Sequence, residues 1–278
     1  MPTSSKQMRV TIIGSGNLAT HLGKAIAGSG HDIAQVFSPT YDHALALADA
    51  LGCSATSNIS EINHDSDCYI ISIKDSALQT LIPELCKGRD EKVFIHTAGS
   101  VPIDVFEGAA THYGVLYPMQ TFSKQRDVDF STIPVFTEHN DSEAKAAIDT
   151  LAHSVSRNVT ELSSADRRYL HLAAVFSCNF ANHCYALAAD IMERHGMTFD
   201  QLLPLIDETA SKVHEIHPRE AQTGPAVRYD SNVINRQLDL MADSPLMRDI
   251  YEIMSKSIHI KTKQNDQLRL KENKGYSV

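Results

Sequence analysis

Residues 9–26, RVTIIGSGNLATHLGKAI, join a β-branched run to a helical pattern through two closely spaced glycines. Gly14 permits a tight turn, Gly16 lets a phosphate group approach the backbone, and Ala19 lets the helix pack closely on the strand. The first turn of such a helix offers free N–H groups and a partial positive charge. The segment therefore predicts a dinucleotide-binding βαβ unit; the alternative is a glycine turn without a ligand.

The N-terminal half alternates short apolar runs with helical patterns. Strands are predicted in RVTIIG, DIAQVFS, DCYIISIK and KVFIHTAG, and helices in HALALADALG and SALQTLIPELCKG. The unbroken hydrophobicity of YIISI and VFIH is typical of parallel strands that are covered by helices on both faces. Three further candidates, YGVLYPM, IPVFTEH and NVTELS, extend the same sheet. We therefore expect an α/β fold with a doubly wound, mainly parallel Rossmann-like sheet.

The character of the sequence changes after Leu162. The chain has no proline or glycine from Ser164 until Gly196, which predicts one long helix that Gly196 ends. The patterns that follow are also helical. We therefore predict two domains, residues 1–162 for dinucleotide binding and an all-α domain, residues 163–278, for substrate binding and dimerisation.

Composition excludes several classes of function. The net charge of -9, without a long basic patch, argues against nucleic-acid binding. No run approaches the roughly 20 apolar residues of a membrane span, and the first seven residues lack the apolar stretch of a signal peptide, so we expect a cytoplasmic protein. The five cysteines include no CxxC pair and are read as reduced thiols. His214 and His217 have HxxH spacing but no clear third ligand, so no metal site is expected.

The end of the second predicted strand bears on the choice of cofactor. NAD sites usually place an acidic residue about 20 residues beyond the glycines, whereas this strand ends in VFSPT. Ser38, Thr40 and nearby N–H groups could accept the 2′-phosphate of NADP, although the arginine expected there is also absent. We therefore expect NADP, with NAD as the alternative.

Several separated motifs resemble a known family. They are the opening segment, DCYIISIKDSALQTL, HTAGS (96–100), GVLYPMQTFS (114–123), YLHLAAVFSCNF (169–180) and TGPAVRYD (223–230). The chain resembles a bacterial family of NADP oxidoreductases that joins a Rossmann-like domain to a helical domain of unknown function. That family is related to the pyrroline-5-carboxylate reductase and 6-phosphogluconate dehydrogenase-like superfamily.

The resemblance implies a cofactor that lies along the carboxyl ends of the strands, a cleft for a small-molecule substrate between sheet and helices, and a homodimer formed through the helical domain. The implied contacts are the pyrophosphate at Gly14, Gly16, Asn17 and Leu18, the adenosine ribose at Ser38 and Thr40, the second ribose at Ser72, Ile73 and Lys74, and the nicotinamide at His96 and Thr97. The rule that ligands bind outside the carboxyl ends of parallel strands predicts the same edge independently.

Catalysis by hydride transfer needs a group that protonates or polarises the reacting oxygen or nitrogen. The resembling hydroxyacid dehydrogenases use a lysine followed four residues later by an asparagine, but here Val175 follows His171 at that spacing. On an ideal helix His171 lies about 20° from Asn182 and about 80° from Asn179. We therefore consider His171 or His96 as the proton donor. Asn179 is a further candidate, although the helical rise places it about 12 Å from His171 along the axis. The alternatives are polar groups at an interface and a histidine that only shapes a loop.

Two residues are candidates for substrate binding. Arg228 in TGPAVRYD could bind an anionic group through its guanidinium, or could form a structural ion pair with Asp230 or with a partner chain. Gln120 in GVLYPMQTF, together with Tyr117, could face the cleft, or could mark the end of an apolar strand.

Two functions follow from these candidates. The first is an NADP-dependent oxidoreductase that acts on a small, anionic carbonyl, imine or hydroxyacid, with reduction of a deazaflavin as a more distant option. The second is a non-catalytic dinucleotide-binding regulator or scaffold.

Overall fold

The computed structural model describes the backbone of residues 7–275 and the side chains up to Leu270. The first six residues, on which the expectation of a cytoplasmic protein partly depends, lie outside that range. The chain divides into two compact units, one ending at Phe180 and the other beginning at Ala181. Each unit is treated by itself below.

The first unit is built on one eight-stranded sheet in the order β3-β2-β1-β4-β5-β6-β7-β8. Its strands are β1 (Arg9–Ile13), β2 (Asp32–Phe37), β3 (Ser54–Thr56), β4 (Cys68–Ile71), β5 (Val93–His96), β6 (His112–Pro118), β7 (Val135–His139) and β8 (Val159–Glu161). Only the pairing of β6 with β7 is antiparallel. The predicted fold class is confirmed, and so is the extension of the sheet by the last three predicted strands. Strand β3 is the one that the sequence analysis missed.

Helices cover both faces of this sheet. They are α1 (Asn17–Gly28), α2 (Tyr41–Leu51), α3 (Asp75–Cys86), α4 (Ser142–Val155) and α5 (Ser164–Ala174), with short 3-10 turns at Ile59–Glu61, Ile103–Phe106 and Phe130–Thr132. Alternate residues of β1 face two separate apolar clusters, since Val10 and Ile12 belong to one and Ile13 to the other. The first cluster also contains side chains of α1, α2 and α4, and the second contains side chains of α3. This two-sided burial explains the unbroken hydrophobicity of the central strands.

The predicted long helix starts at Ser164 as expected, but it is not α-helical throughout. After α5 comes a π-helical segment, Val175–Phe180, and α6 (Ala181–Arg194) follows it. The wider π turn changes the direction of successive side chains, so the angles of an ideal helix do not apply across it. Gly196 ends the run as predicted, with φ +71.

In the residues that the structure describes, the second unit contains helices and connecting turns but no strand. Besides α6 it contains α7 (Leu203–Lys212), α8 (Pro218–Ala221), α9 (Pro225–Arg228), α10 (Ser231–Asp239) and α11 (Pro245–Gly275). Its small core consists of Ile234, Leu238, Met241 and Met247. None of the helices between residues 7 and 275 combines the length and apolar character that crossing a lipid bilayer requires.

Candidate functional site

The turn between β1 and α1 depends on glycine at position 14. Gly14 has φ +117, a conformation that side chains rarely adopt, and an added Cβ would lie 2.1 Å from the backbone oxygen of Ser72. The Gly14 N–H donates to the carbonyl oxygen of Phe37 at 2.8 Å. Gly14 therefore holds the ends of β1, β2 and β4 close together.

Gly16, two residues later, meets the opposite environment. It is the N-cap of α1, no side chain caps the helix, and the first turn contains no acidic residue. A Cβ added at Gly16 would have no atom within 4 Å. The N-terminus of α1 is therefore uncapped by any described side chain and has open space beside Gly16, which fits the phosphates of a dinucleotide.

The end of β2 supplies two hydroxyl groups. Ser38 is buried, and its hydroxyl accepts a hydrogen bond from the Ser15 hydroxyl at 3.0 Å. Thr40 is exposed at the N-cap of α2, where its side chain caps no N–H group. The strand ends without an acidic side chain, and the first acidic residue after it, Asp42, lies in the first turn of α2.

The loops after β4 and β5 lie at the same edge, because Ile13 pairs with Ile71 and Ile71 with His96. In the first loop Ser72 and Ile73 approach Gly14, and Lys74 is the exposed N-cap of α3. In the second loop Thr97 is buried. The predicted cofactor residues are thus neighbours along one edge of the sheet.

A cavity of about 690 Å³ opens beside this edge. Its walls are the start of α1, the loop after β6, and one face of α5 with the π segment. It brings together five predicted residues, Asn17, Leu18, Gln120, His171 and Asn179. Among the described residues that line it, none is Lys, Arg, Asp or Glu. This part of the site therefore suits an uncharged reacting group.

His171 and Tyr117 form a pair in this cavity. The Tyr117 hydroxyl lies 3.1 Å from Nδ1 of His171, and the two rings meet edge to face with their centroids 6.0 Å apart. Burial raises the pKa of Tyr117, while the positive charge of Arg167 opposes that rise. A Cβ at Gly99 would lie 2.5 Å from Nδ1 of His171, so the pair packs directly on the loop after β5.

Arg167, on α5, attaches this helix to the sheet. Its side chain is 1% exposed and forms an ion pair with Glu138 on β7. It also donates to the carbonyl oxygen of Val101 at 2.6 Å and to the Ser164 hydroxyl at 3.1 Å. Ser164 in turn donates its N–H to Glu138 at 2.8 Å. This network sets the position of the helix that carries His171.

His96 lies apart from the cavity lining. Its side chain is fully buried, stacks on Phe106 with centroids 5.7 Å apart, and accepts the Ala98 N–H at Nδ1. Burial, followed by the charge of Arg167, lowers the pKa of His96 to about 3. Because the ring of His96 is fully buried in the core and does not line the cavity, its position favours the loop-shaping alternative over proton donation.

Two polar residues of the cavity make hydrogen bonds with the loop after β6. The Asn17 amide donates to the carbonyl oxygen of Phe122 at 2.9 Å, which ties the glycine loop to this segment. The Gln120 side chain accepts from the Thr121 N–H at 2.8 Å. Asn179 is exposed on the π segment.

Arg228 belongs to the second unit, at the exposed end of α9. Asp230, its proposed ion-pair partner, instead accepts the Val233 N–H as the N-cap of α10. Among the described side chains, no carboxylate lies within 4.0 Å of Arg228. The intervening residue, Tyr229, has φ 55, so the backbone turns sharply between the two.

Sequence reasoning missed Gly99, Arg167 and Glu138. A signal existed for Gly99, since a glycine in HTAGS directly after a strand marks a close approach. No comparable signal existed for Arg167, because SSADRR looks like the solvated first turn of a helix. Glu138 lies near the end of a strand, where a charged residue is ordinarily exposed.

Two family models match the chain. One, described as NADP oxidoreductase coenzyme F420-dependent, matches residues 9–99, and the other, a domain of unknown function named DUF2520, matches residues 133–258. A crystal structure of a "putative NADP oxidoreductase" from Bacteroides fragilis is 49% identical, with a TM-score of 0.89, and the alignment covers 92% of this chain and 99% of that one. None of the functionally curated proteins compared with the chain matches it.

Two solved structures with lower identity share the fold. An imine reductase from Myxococcus stipitatus, in complex with NADP+, has 15% identity and a TM-score of 0.66 over 92% of this chain and 94% of that one. A pyrroline-5-carboxylate reductase from Coxiella burnetii has 16% identity and a TM-score of 0.56 over 93% of this chain and 98% of that one.

Proposed function

The chain belongs to the family of NADP oxidoreductases that the Bacteroides fragilis protein represents, and from this premise we propose that it transfers hydride between NADP and a small carbonyl, imine or hydroxyacid substrate. The observation that carries the proposal is the cavity beside the glycine loop, which joins the predicted cofactor edge to His171. Family membership favours the enzyme over a non-catalytic regulator.

The proposed cofactor site is built from backbone groups. The open N-terminus of α1 at Gly16 would hold the pyrophosphate, and Ser38 with Thr40 would hold the 2′-phosphate. Asn17 would act by fixing the loop after β6, through its bond to Phe122, rather than by touching phosphate through its side chain. When bound, NADPH supplies the hydride.

The proposed chemistry assigns His171 the task of protonating or polarising the substrate oxygen or nitrogen. His171 lines the cavity and is hydrogen-bonded to Tyr117, whereas His96 is buried outside the cavity lining. Asn179, on the same wall as His171, would orient the substrate. We assign no proton transfer to His96.

Titration with NADPH and NADH tests the cofactor step. A ligand that binds only the folded state raises its stability with the logarithm of the ligand excess over Kd. We expect NADPH to raise Tm and to show enhanced nicotinamide fluorescence at lower concentrations than NADH. Absence of binding by either cofactor would contradict the proposal.

Matched substrates test the proposed anionic group. Each carbonyl or imine would be paired with an analogue in which an amide replaces the carboxylate, at saturating NADPH. If Arg228 anchors the carboxylate, Arg228→Gln should raise KM for the anionic member alone, while Arg236→Gln leaves both unchanged. Equal KM values for the two members in the unmodified enzyme would exclude the anion preference and would fit the uncharged lining of the cavity.

A homodimer is proposed from the apolar outer face of α5 and the π segment. Four exposed side chains follow one another at helical spacing, namely Tyr169, Leu172, Phe176 and Phe180. A second copy of the chain would cover this face. Sedimentation should show a dimer, and Leu172→Glu with Phe176→Glu should reduce it to monomer.

The five free cysteines agree with the proposed reducing, cytoplasmic environment.

A further inference from the structure

We propose that Tyr117 fixes neutral His171 in the tautomer that carries its proton on Nε2, and that Gly99 leaves the space this arrangement requires. Tyr117 is then a positioning residue that acts through His171. The inference rests on the proposed function, in which His171 contacts the substrate. It identifies Nε2 as the ring nitrogen that makes this contact.

The hydrogen bond has one direction when the imidazole is neutral. Among the described residues, Nδ1 of His171 is the only hydrogen-bond partner of the Tyr117 hydroxyl, at 3.1 Å. The phenol is 8% exposed, and burial raises its pKa, so it keeps its proton near neutral pH. If Nδ1 carried the proton, it would donate to the phenol oxygen and leave the buried hydroxyl proton without an acceptor. Donation by the phenol satisfies both groups, so we assign the proton of the ring to Nε2 and leave Nδ1 unprotonated.

Packing decides which edge of the ring can meet a substrate. A Cβ at Gly99 would lie 2.5 Å from Nδ1 and 2.8 Å from Cγ of His171, and 3.0 Å from Cζ of Tyr117. The Nδ1 edge is therefore pressed against the loop and the phenol. The Nε2 edge is the part of the ring that remains for the cavity, which His171 lines.

This tautomer gives the transfer a balanced proton path. In the proposed reduction, for which bound NADPH would supply the hydride, the substrate oxygen or nitrogen would take the Nε2 proton of His171, and the hydroxyl proton of Tyr117 would move to Nδ1. The imidazole would stay neutral. Burial and the charge of Asp75 oppose the phenolate so formed, and the positive charge of Arg167 favours it. After product release, water returns a proton to Nε2 and the Nδ1 proton returns to Tyr117.

Nitrogen-15 NMR tests the tautomer without any substrate. The protein would be labelled at histidine nitrogens, and His171 would be assigned by the signals that disappear in His171→Gln. At a pH where His171 is neutral, we expect an unprotonated Nδ1 and a protonated Nε2. In Tyr117→Phe the two tautomers should coexist. A protonated Nδ1 in the unmodified protein, or an unchanged spectrum in Tyr117→Phe, would overturn the inference.

Kinetics test the consequence. Tyr117→Phe should lower kcat at least about tenfold while Kd for NADPH is unchanged, and Tyr113→Phe, which removes a hydroxyl from the same strand away from the cavity, should not. Gly99→Ala should lower kcat as Tyr117→Phe does, whereas Gly28→Ala, where an added Cβ meets nothing within 4 Å, should not. Unchanged kcat in Tyr117→Phe would overturn the catalytic role. If no carbonyl or imine is reduced by the unmodified enzyme, the proposed function fails, while the NMR result still decides the tautomer.

Discussion

The glycine loop and the Tyr117–His171 pair lie near the same edge of the sheet but are built by different means. The loop is a continuous segment whose backbone N–H groups do the work, so its geometry depends on local conformation and on the absence of Cβ atoms. The pair joins side chains from β6 and α5, 54 residues apart, with Gly99 beneath them. Substitutions within the glycine loop should therefore alter its geometry. The geometry of the Tyr117–His171 pair should also change on substitution of residues that touch no ligand.

The largest effect is expected from Gly14→Ala. The new Cβ would lie 2.1 Å from a backbone oxygen, at a φ of +117, and neither atom can move without shifting a strand end. We expect a loss of about 4–5 kcal/mol in the free energy of unfolding, at the upper end for single substitutions. Urea unfolding would measure it. Gly52→Ala is the control, since Gly52 also has positive φ but an open surrounding, and about 1 kcal/mol is expected there. Equal losses at the two positions would show that φ alone matters.

Arg167→Met tests whether the Tyr117–His171 pair depends on residues that touch no ligand. Removing the guanidinium leaves Glu138 partly buried without its counter-charge, so we expect a loss of about 3–5 kcal/mol in the free energy of unfolding. The double variant Arg167→Met with Glu138→Gln should recover part of that loss. Lys145→Met, which removes surface ion pairs with Asp149 and Glu161, should change stability little.

Measuring Kd for NADPH and kcat in Arg167→Met would show whether the Tyr117–His171 pair can be changed without changing the glycine loop. If Arg167→Met keeps Kd for NADPH but lowers kcat, the two regions are separable. If Kd and kcat both change, the Arg167–Glu138 ion pair supports the glycine loop as well as the Tyr117–His171 pair. The two regions would then be less independent than we infer.

The same contrast explains what the sequence could predict. The loop and the strands were recognisable because period and glycine spacing are local properties. Strand β3 was missed because its three residues, SAT, lack an apolar run. The π segment was missed because helical periodicity does not mark where the turn widens. Arg167 could not be recognised, since its burial follows from where β7 and α5 meet, and only His171 of the predicted proton donors lines the cavity.

Gly16→Asp tests the loop by charge rather than by strain. Its side chain would enter open space in front of α1, so the fold should be retained, but its carboxylate would repel the pyrophosphate. We expect Kd for NADPH to rise at least about 100-fold, about 2.7 kcal/mol, with Tm of the free protein unchanged. Gly16→Ala, which adds bulk without charge, should raise Kd less. Unchanged Kd in Gly16→Asp would remove the loop from the cofactor site.

Over a single pH unit, the smallest effect is the dependence of stability on pH that His96 contributes. Its pKa is about 3 in the folded protein and lies near the ordinary 6.5 when unfolded, so the unfolded state binds the extra proton between these values. The contribution of His96 is therefore complete above pH 6.5 and is lost as pH falls toward 3, by at most about 1.4 kcal/mol for each pH unit. His31, whose pKa burial also lowers, adds a slope of the same sign.

His96→Asn isolates this slope, because the Asn oxygen can take the place of Nδ1 as acceptor of the Ala98 N–H while carrying no titratable group. Urea unfolding between pH 4 and 7 should show a shallower slope in His96→Asn, and kcat near pH 7 should stay close to that of the unmodified enzyme. A loss of kcat in His96→Asn would instead show that His96 contributes to catalysis, and that the core around it influences the Tyr117–His171 pair. An unchanged slope would mean that His96 takes up its proton in the folded state, which its burial against Phe106 opposes.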